Sequence, residues 1–316
     1  MLTAVLGLTG ALIFGSADFL GGLAAKRMSS LLVTAVAAAS GLVALLLALP
    51  FVAGAWSPSA VLWGALSGIS GAIAISLLYA CLAIGPMSIL SPLTAVVSAV
   101  VPMTVGLAGG DRLAPIGYWA LGLALVAVVL VGFVPERGAV RPSLLGVLMA
   151  LGSGTMIGAF MVMIDLTPAD SGLVPLVLNR AVNASIMFAV VGLLALVALQ
   201  RRRALVPVRA AQARAAAGPA AASLPVSSTD GAPHPRSTLA IGLRLAVACG
   251  VIDVVANVLL LLGMRAGDLS VMSVLTAMYP AGTILLAAVV LRERIAPVQW
   301  LGLALALAAA GMLALA

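Results

Sequence analysis

Ionisable side chains are rare in this sequence, and three that lie deep inside long apolar segments are candidates for chemistry. Asp18 stands in GSADFLGG, Arg180 in VLNRAVNAS and Asp253 in CGVIDVVANV. A charge at the centre of a membrane span costs about 2.5 to 3.5 kcal/mol on insertion scales, so it must be paired, hydrated or functional. Asp18 is expected either to bind a cation or carry a proton, or to lie partly solvated near Lys26 or Arg27.

Arg180 and Asp253 are expected to meet at a similar depth on adjacent segments. We predict either a structural ion pair, in which loss of one partner strands the other charge, or a pair that opens so that Arg180 binds a substrate carboxylate. Three amides accompany them. Asn179 and Asn183 share one helical face, and Asn257 lies one turn beyond Asp253, so they are interpreted as helix contacts or as the lining of a pathway.

Two other stretches carry hydroxyl side chains at three-residue spacing, on one side of a helix. Such hydroxyls either bond to the helix backbone or line a pathway where two helices face each other. Tyr279 precedes Pro280 inside an apolar segment and is expected to offer an aromatic face to a substrate. The hydroxyl residues are Ser88, Ser91 and Thr94 in the first stretch, and Ser270, Ser273 and Thr276 in the second.

The composition indicates what elements must position these groups. The chain has 316 residues, of which 64% are hydrophobic and 8% charged, with a mean hydropathy of +1.27. A bilayer core needs about 20 mostly apolar residues per helix, and backbone in lipid must be satisfied internally. The sequence therefore predicts an all-α integral membrane protein with ten spans and no β-barrel. The predicted spans are 3–25, 31–53, 60–83, 88–108, 115–134, 143–165, 172–199, 239–264, 269–291 and 297–315.

The two hydroxyl stretches belong to an internal repeat. Gly85 to Pro115 aligns without gaps to Gly267 to Pro297, including an acid-Arg-x-Ala-Pro turn. The repeating unit has five spans, and an odd number inverts the second copy in the membrane. We therefore predict two inverted repeats with a binding site at their interface. The first repeat covers 1–135, and the second covers 143–199 together with 239–316.

The distribution of positive charge predicts the orientation. Loops after the first, fifth, seventh and ninth spans hold twelve Lys and Arg residues, while the opposite face holds only Arg112 and Arg265. The positive-inside rule then places these loops in the cytoplasm and both termini outside. The net charge of +7 is accordingly interpreted as topology rather than as a sign of nucleic-acid binding.

Residues 200–238 interrupt the apolar pattern and are rich in Arg, Ala and Pro. We predict a disordered cytoplasmic linker there. The single histidine, His234, lies in it without a second ligand nearby, so no metal site is expected. Cys81 and Cys249 fall inside spans and are interpreted as packing residues. No G-x-x-x-x-G-K-[ST] motif is present, and no cofactor is expected.

The chain resembles the EamA family of the drug/metabolite transporter superfamily. The resemblance rests on ten spans in two units, each with a Gly-x-x-Ser-x-x-Ser-x-Leu-Thr-Ala run, the acid-Arg-x-Ala-Pro turn and a Gly-rich last helix. It implies a permease, often an exporter, in a bacterial cytoplasmic membrane. It does not identify the substrate, and proton coupling and a homodimer are left open.

Two other classes of function remain open. One is a scaffold that contacts anionic lipid through the Arg-rich linker, although a scaffold has no need of charges at the midplane. The other is a membrane-integral enzyme acting on lipid-linked substrates, which needs clustered catalytic groups that the loops do not offer. The leading expectation is a secondary transporter of a small metabolite or drug-like molecule, without enzymatic activity, whose partners are that substrate and the lipid bilayer.

Overall fold

The computed structural model describes residues 2–52, 54–84, 87–132, 142–216, 235–292 and 295–315. At positions 79, 82, 83, 87, 88, 91, 201–216 and 235–237 it describes the backbone only. Within these ranges the chain forms α-helices and two short 3-10 turns, with no strand. The helices are α1 Leu2–Ala25, α2 Ser30–Ala48, α3 Pro58–Ile84, α4 Met87–Gly109, α5 Pro115–Gly132, α6 Leu144–Asp165, α7 Val174–Ala216, α8 Pro235–Ala266, α9 Leu269–Thr276, α10 Tyr279–Val290 and α11 Pro297–Leu315.

The prediction of ten membrane helices is confirmed for the described part of the chain. Ten segments are long and apolar enough to cross a bilayer, and α9 and α10 together form one of them, Leu269–Val290. Serine side chains set several helix starts. Ser29 accepts a hydrogen bond from the Leu32 amide at 3.4 Å, and Ser143 accepts one from the Gly146 amide at 3.1 Å. These caps satisfy amide groups that a helix start otherwise leaves unpaired.

The ninth span is interrupted at Ala277 and Met278, immediately before Tyr279 and Pro280. Pro280 has no amide hydrogen, and its ring crowds the carbonyl of the preceding turn, so a continuous α-helix is disfavoured at this point. The amides of Ala277 and Met278 bond to Ser273 and Leu275 carbonyls at 3.0 and 3.1 Å. The span predicted over 269–291 is therefore divided into α9 and α10.

The helical part of the chain extends further than predicted on both sides of the linker. The seventh span is Val174–Gln200, but α7 continues to Ala216, and α8 begins at Pro235. The run after Gln200 is rich in Ala and Arg, which are strong helix formers. Disorder over all of 200–238 is therefore wrong for the backbone up to Ala216. Residues 217–234, including His234, lie outside the described residues.

The two five-span units interlock, and their packing partners correspond. Helix α1 packs on α8 as α3 packs on α6, and α2 packs on α8 as α3 packs on α7. Helix α1 also packs on α9 and α10 as α6 packs on α4, while α5 faces α11 and α2 faces α7. Each of these helix contacts corresponds to another, or to itself, when the two units are exchanged. This arrangement produces one bundle with two ends.

The two ends of the bundle differ in the connections that they hold, and we call them the linker end and the opposite end. The linker end holds residues 26–29, 291–292 and 295–296, the end of α7 and the start of α8. The opposite end holds residues 49–52, 54–57, 110–114, 166–173 and 267–268. Segments at the opposite end bond to one another, since the Ala55 amide donates to the Asp170 carbonyl at 2.9 Å.

Candidate functional site

A central cavity of about 500 Å³ lies between the two units. Its wall reaches the linker end, because Ala25 closes α1, Ser30 opens α2, Gly132 closes α5 and Gln299 lies near the start of α11. The rest of the wall comes from α3, α7, α8 and α10. Five of the predicted site residues line the cavity: Asp18, Arg180, Asn183, Asp253 and Tyr279.

Asp18 is placed by a close contact between α1 and α10. Gly15 lies one turn before it, and a Cβ on Gly15 would come within 2.6 Å of the Thr283 amide nitrogen. The Thr283 hydroxyl donates to the Gly15 carbonyl at 3.1 Å. Asp18 itself is seven residues from the end of α1, about 10 Å into the bundle. Its side chain is exposed and has no hydrogen-bond or ion-pair partner among the residues that the structure describes.

Arg180 and Asp253 form an ion pair across α7 and α8, as one of the two sequence interpretations expects. Their side chains are 15% and 24% exposed. Asn257 supports the pair, since its Nδ2 donates to the Asp253 carbonyl at 2.8 Å and to Asp253 Oδ2 at 3.2 Å. Gly41 lets α2 approach α8 closely beside the pair, because a Cβ there would lie 2.8 Å from Val254 Cγ2. The two charges offset each other.

The amides Asn179 and Asn183 have different surroundings, although they lie on one face of α7. Asn179 is buried and donates from Nδ2 to Ser67 Oγ at 2.9 Å, which ties α7 to α3. Asn183 lines the cavity, is 5% exposed, and its Oδ1 accepts no hydrogen bond from any described residue. Within this pair, the cavity therefore involves Asn183, while Asn179 holds helices together.

The hydroxyl stripes lie away from the central cavity. Thr94 is buried and donates to the Leu90 and Ala150 carbonyls at 3.0 and 3.3 Å. Ser273 donates to the Ser270 carbonyl at 2.9 Å, and Thr276 is absent from the cavity wall. The side chain of Ser91 lies outside the described residues. The Thr94 and Ser273 hydroxyls bond to backbone carbonyls, and a pathway role for the stripes stays a prediction.

Several cavity residues were not identified by sequence reasoning. Cys249 and Thr283 face the cavity, and Gln299 does so at the linker end. Gln299 Oε1 accepts from the Ala296 amide at 3.0 Å, and Nε2 donates to the Val131 carbonyl at 3.4 Å. A glutamine inside an apolar span is a signal that sequence inspection can find, whereas a lone cysteine or threonine is not.

The opposite end is closed by polar contacts, one between the units and one within the second unit. Asp111, after α4, accepts hydrogen bonds from the Ser270 hydroxyl and, at 3.0 Å, from the Ser270 amide in the first turn of α9. Arg265 donates to Ser171 Oγ at 2.9 Å. Burial, together with the nearby Asp111 carboxylate, raises the pKa of Asp268 above its ordinary value. The bonds of Asp111 and Arg265 thus hold the helices together at an end that the cavity wall does not reach.

Comparison with known proteins agrees with this architecture. The sequence model of the EamA-like transporter family matches residues 144–315, which is more than half of the chain. The chain belongs to the EamA-like transporter family. The EamA match covers the second unit, from the start of α6 to the end of α11.

The fold of this EamA protein is also found in solved structures. The match to one crystal structure covers 99% of this chain and 98% of the chain in that structure, with a TM-score of 0.62 and 16% sequence identity. At this identity the likeness shows the fold alone. The curated proteins give no match to the chain.

Proposed function

We propose that this protein is a secondary transporter that exports a small metabolite or drug-like molecule across the cytoplasmic membrane by alternating access. The observation that carries the proposal is a cavity of about 500 Å³, lined by charged and amide groups, that reaches one end of a bundle of membrane helices. A buried charge in lipid is costly unless it serves a substrate or an ion. The opposite end is closed by hydrogen bonds, between the units from Ser270 to Asp111 and within the second unit from Arg265 to Ser171.

The correspondence in packing supports an inverted repeat. Helix contacts in one unit map onto those in the other when the two units are exchanged. In transporters with inverted repeats, the site lies at the interface and access alternates as the halves rock. The cavity has its wall from both units, with Asp18 from the first and the Arg180–Asp253 pair from the second. The broken ninth span, at Tyr279, also faces this cavity.

We assign the linker end to the cytoplasm because the positive loops lie there. The structure then corresponds to an inward-facing state. Cys249 offers a direct test, since it is half-buried in the cavity wall while Cys81 is fully buried. An impermeant maleimide is expected to label Cys249 in inverted membrane vesicles and much less in intact cells. Labelling that survives in Cys249→Ser would identify Cys81 as its source, and equal labelling in both preparations would contradict the orientation.

Proton coupling is assigned to Asp18, the cavity carboxylate that has no hydrogen-bond or ion-pair partner within the described part of the chain. Arg180, Asp253, Cys249 and Tyr279 are the other titratable groups in the cavity wall. Asp253 is held by Arg180 and Asn257, so it is the poorer proton carrier. A carboxylate exchanges a proton for substrate most readily when no fixed cation neutralises it.

The test is transport by the purified protein in proteoliposomes. Uptake of amino acids, aromatic amines and nucleosides is measured with and without an imposed proton gradient. We expect gradient-dependent flux that is lost in Asp18→Asn and kept in Asp268→Asn, a carboxylate at the opposite end. Flux indifferent to the gradient would contradict coupling. The absence of flux across the panel would contradict transport and favour a scaffold.

A further inference from the structure

The central cavity carries one unbalanced charge. Its described wall contains two carboxylates, Asp18 and Asp253, and one guanidinium, Arg180. Arg180 is joined to Asp253, so the excess negative charge rests on Asp18. Cysteine and tyrosine side chains are ordinarily neutral at pH 7, so Cys249 and Tyr279 do not change the net charge of the wall.

Among the described residues, the elements that form the wall around Asp18 supply no counter-charge. Helix α2 contributes Ser30, Thr34 and apolar residues to the wall, and α10 contributes Tyr279 and Thr283. The positive end of α10 is largely used, because Pro280 has no amide hydrogen and the Ala281 amide donates to the Met278 carbonyl at 2.9 Å. An anion entering the cavity would therefore meet a net negative wall.

A second group independently indicates the kind of ligand. Asn183 is 5% exposed, lines the cavity, and leaves its Oδ1 without a donor among the described residues. A buried acceptor without a partner is costly, and a ligand N–H group can satisfy it. The remainder of the wall is largely apolar and includes Val33, Ile75, Leu78 and Ile284. The wall thus offers an anion, an amide acceptor and an apolar surface.

We infer that the transported substrate is a small organic cation, a protonated amine on an apolar or aromatic body, with Asp18 as its counter-charge and Asn183 as a hydrogen-bond acceptor. This inference rests on the proposed transport function and specifies its substrate class. The Arg180–Asp253 pair stays closed during binding, so a substrate carboxylate gains no cation and instead faces Asp18.

Three related compounds test the charge preference in the unmodified protein. 2-Phenylethylamine is cationic at neutral pH, 3-phenylpropionate is anionic, and phenylalanine carries both groups on the same aromatic body. Each is titrated for its ability to protect Cys249 from a maleimide, and affinities are checked by calorimetry. We expect protection by the amine to be strongest and protection by the acid to be weakest.

Two variants locate the preference. Asp18→Asn keeps the shape of the side chain, and the amine is expected to lose about tenfold or more in affinity, since hydrogen bonds to charged groups are the stronger ones. Asp18→Glu is expected to retain the amine preference. Asp268→Asn, at the opposite end, is the matched control and should leave the order unchanged. Should Asp18→Asn fail to fold, the order of the three compounds in the unmodified protein still decides.

The outcomes separate this inference from transport itself. Equal or tighter binding of the acid would overturn the cation class, and tightest binding of phenylalanine would mean that Arg180 opens to accept a carboxylate. Flux of anionic or neutral compounds without amine preference would overturn the cation class but leave transport standing. Amine binding in the expected order without any flux would overturn transport but leave the cation class standing.

Discussion

The two ends of the helix bundle use their polar groups in different ways. In the cavity of about 500 Å³ that reaches the linker end, Asp18 and the Asn183 Oδ1 are without partners among the described residues. At the opposite end, Asp111 and Arg265 bond across the bundle to Ser270 and Ser171. One end keeps polar groups available for a ligand, and the other uses them to hold the helices together.

This difference indicates what a change of state requires. Opening the opposite end breaks its cross-bundle bonds, each contributing about 0.5 to 1.5 kcal/mol net, or about 1.5 to 3 kcal/mol where a charge takes part. A few bonds of this size give a gap of a few kcal/mol, which a protein can cross between two populated states. The same residues that close this end thus set how often it opens.

The largest effect on stability is expected at the Arg180–Asp253 ion pair in the cavity wall. Arg180→Ala leaves Asp253 as an uncompensated charge between α7 and α8, and Asp253→Ala does the same to Arg180. Breaking a buried pair from one side costs about 3–5 kcal/mol. We expect either variant to lower the thermal unfolding temperature in detergent sharply.

A charge-neutral double variant is the control for this pair. Arg180→Gln with Asp253→Asn removes both charges and keeps polar groups for Asn257 to contact. It is expected to recover most of the lost stability. Single variants as stable as the unmodified protein would show that water, rather than the partner, already stabilises each charge.

The next effect concerns the helix contact that places Asp18 in the cavity. A Cβ on Gly15 would lie 2.7 Å from Gly282 Cα and 2.6 Å from the Thr283 amide nitrogen, so the backbones of α1 and α10 must separate. Forcing extra volume into a packed site costs typically about 1–3 kcal/mol. Gly15→Ala is expected to lower stability by this amount and to reduce transport, measured by unfolding and by flux.

Gly22 on the same helix is the matched control, since a Cβ there meets nothing within 4 Å. Gly22→Ala is expected to be neutral or to stabilise by up to about 1 kcal/mol, because alanine is the better helix former. If the two variants behave alike, helix propensity rather than close packing determines the result at Gly15.

Sequence reasoning located the spans and the charged groups because lipid imposes strong rules on both. A helix must be about 20 residues long, and an ionisable residue at depth needs a partner or a task. These rules led to the Arg180–Asp253 pair. No comparable rule fixes how each helix is rotated about its axis. The sequence therefore does not distinguish Asn179 from Asn183, although of the two only Asn183 lines the cavity.

The closure of the opposite end was also beyond prediction. Asp111 and Ser270 are 159 positions apart, and their contact depends on how two helix ends meet in the assembled bundle. The hydroxyl stripe was visible in the sequence, but its periodicity does not tell whether a hydroxyl faces a pathway or its own backbone. In the structure Thr94 and Ser273 bond to backbone carbonyls.

A smaller effect is expected from weakening this closure. Asp111→Asn keeps one acceptor for Ser270 but removes the charge, which lowers the strength of the contact by about 1 kcal/mol. The ratio of molecules closed at the opposite end to molecules open there should then fall about fivefold. Maleimide labelling of Cys249 from the linker end is expected to slow accordingly, as molecules shift to the alternative state.

Arg112→Ala is the control for this variant, since Arg112 is the exposed neighbour in the same loop. It should leave the labelling rate unchanged. Faster labelling in Asp111→Asn would mean that the contact holds the linker end shut rather than the opposite end, and the assignment of the two ends would then be reversed.

The smallest effect is expected at Asp268, which begins α9 at the opposite end. Its pKa is raised by burial and by the Asp111 carboxylate. A carboxyl with a raised pKa contributes stability that is fully present below its unfolded pKa and is lost as pH rises through the folded value. At neutral pH the ionised side chain is therefore slightly unfavourable, and it caps no amide of α9. Asp268→Asn should stabilise by at most about 0.5 kcal/mol at neutral pH, and the difference should vanish in acid.

The cause of this shift can be separated by repeating the substitution in the Asp111→Asn background. Because part of the repulsion on Asp268 comes from the Asp111 charge, the gain from Asp268→Asn should shrink once that charge is absent. Unfolding is followed across the acid range for all four proteins. A gain of the same size in both backgrounds would leave burial as the sole cause, and the carboxylates at the opposite end would then act independently of each other.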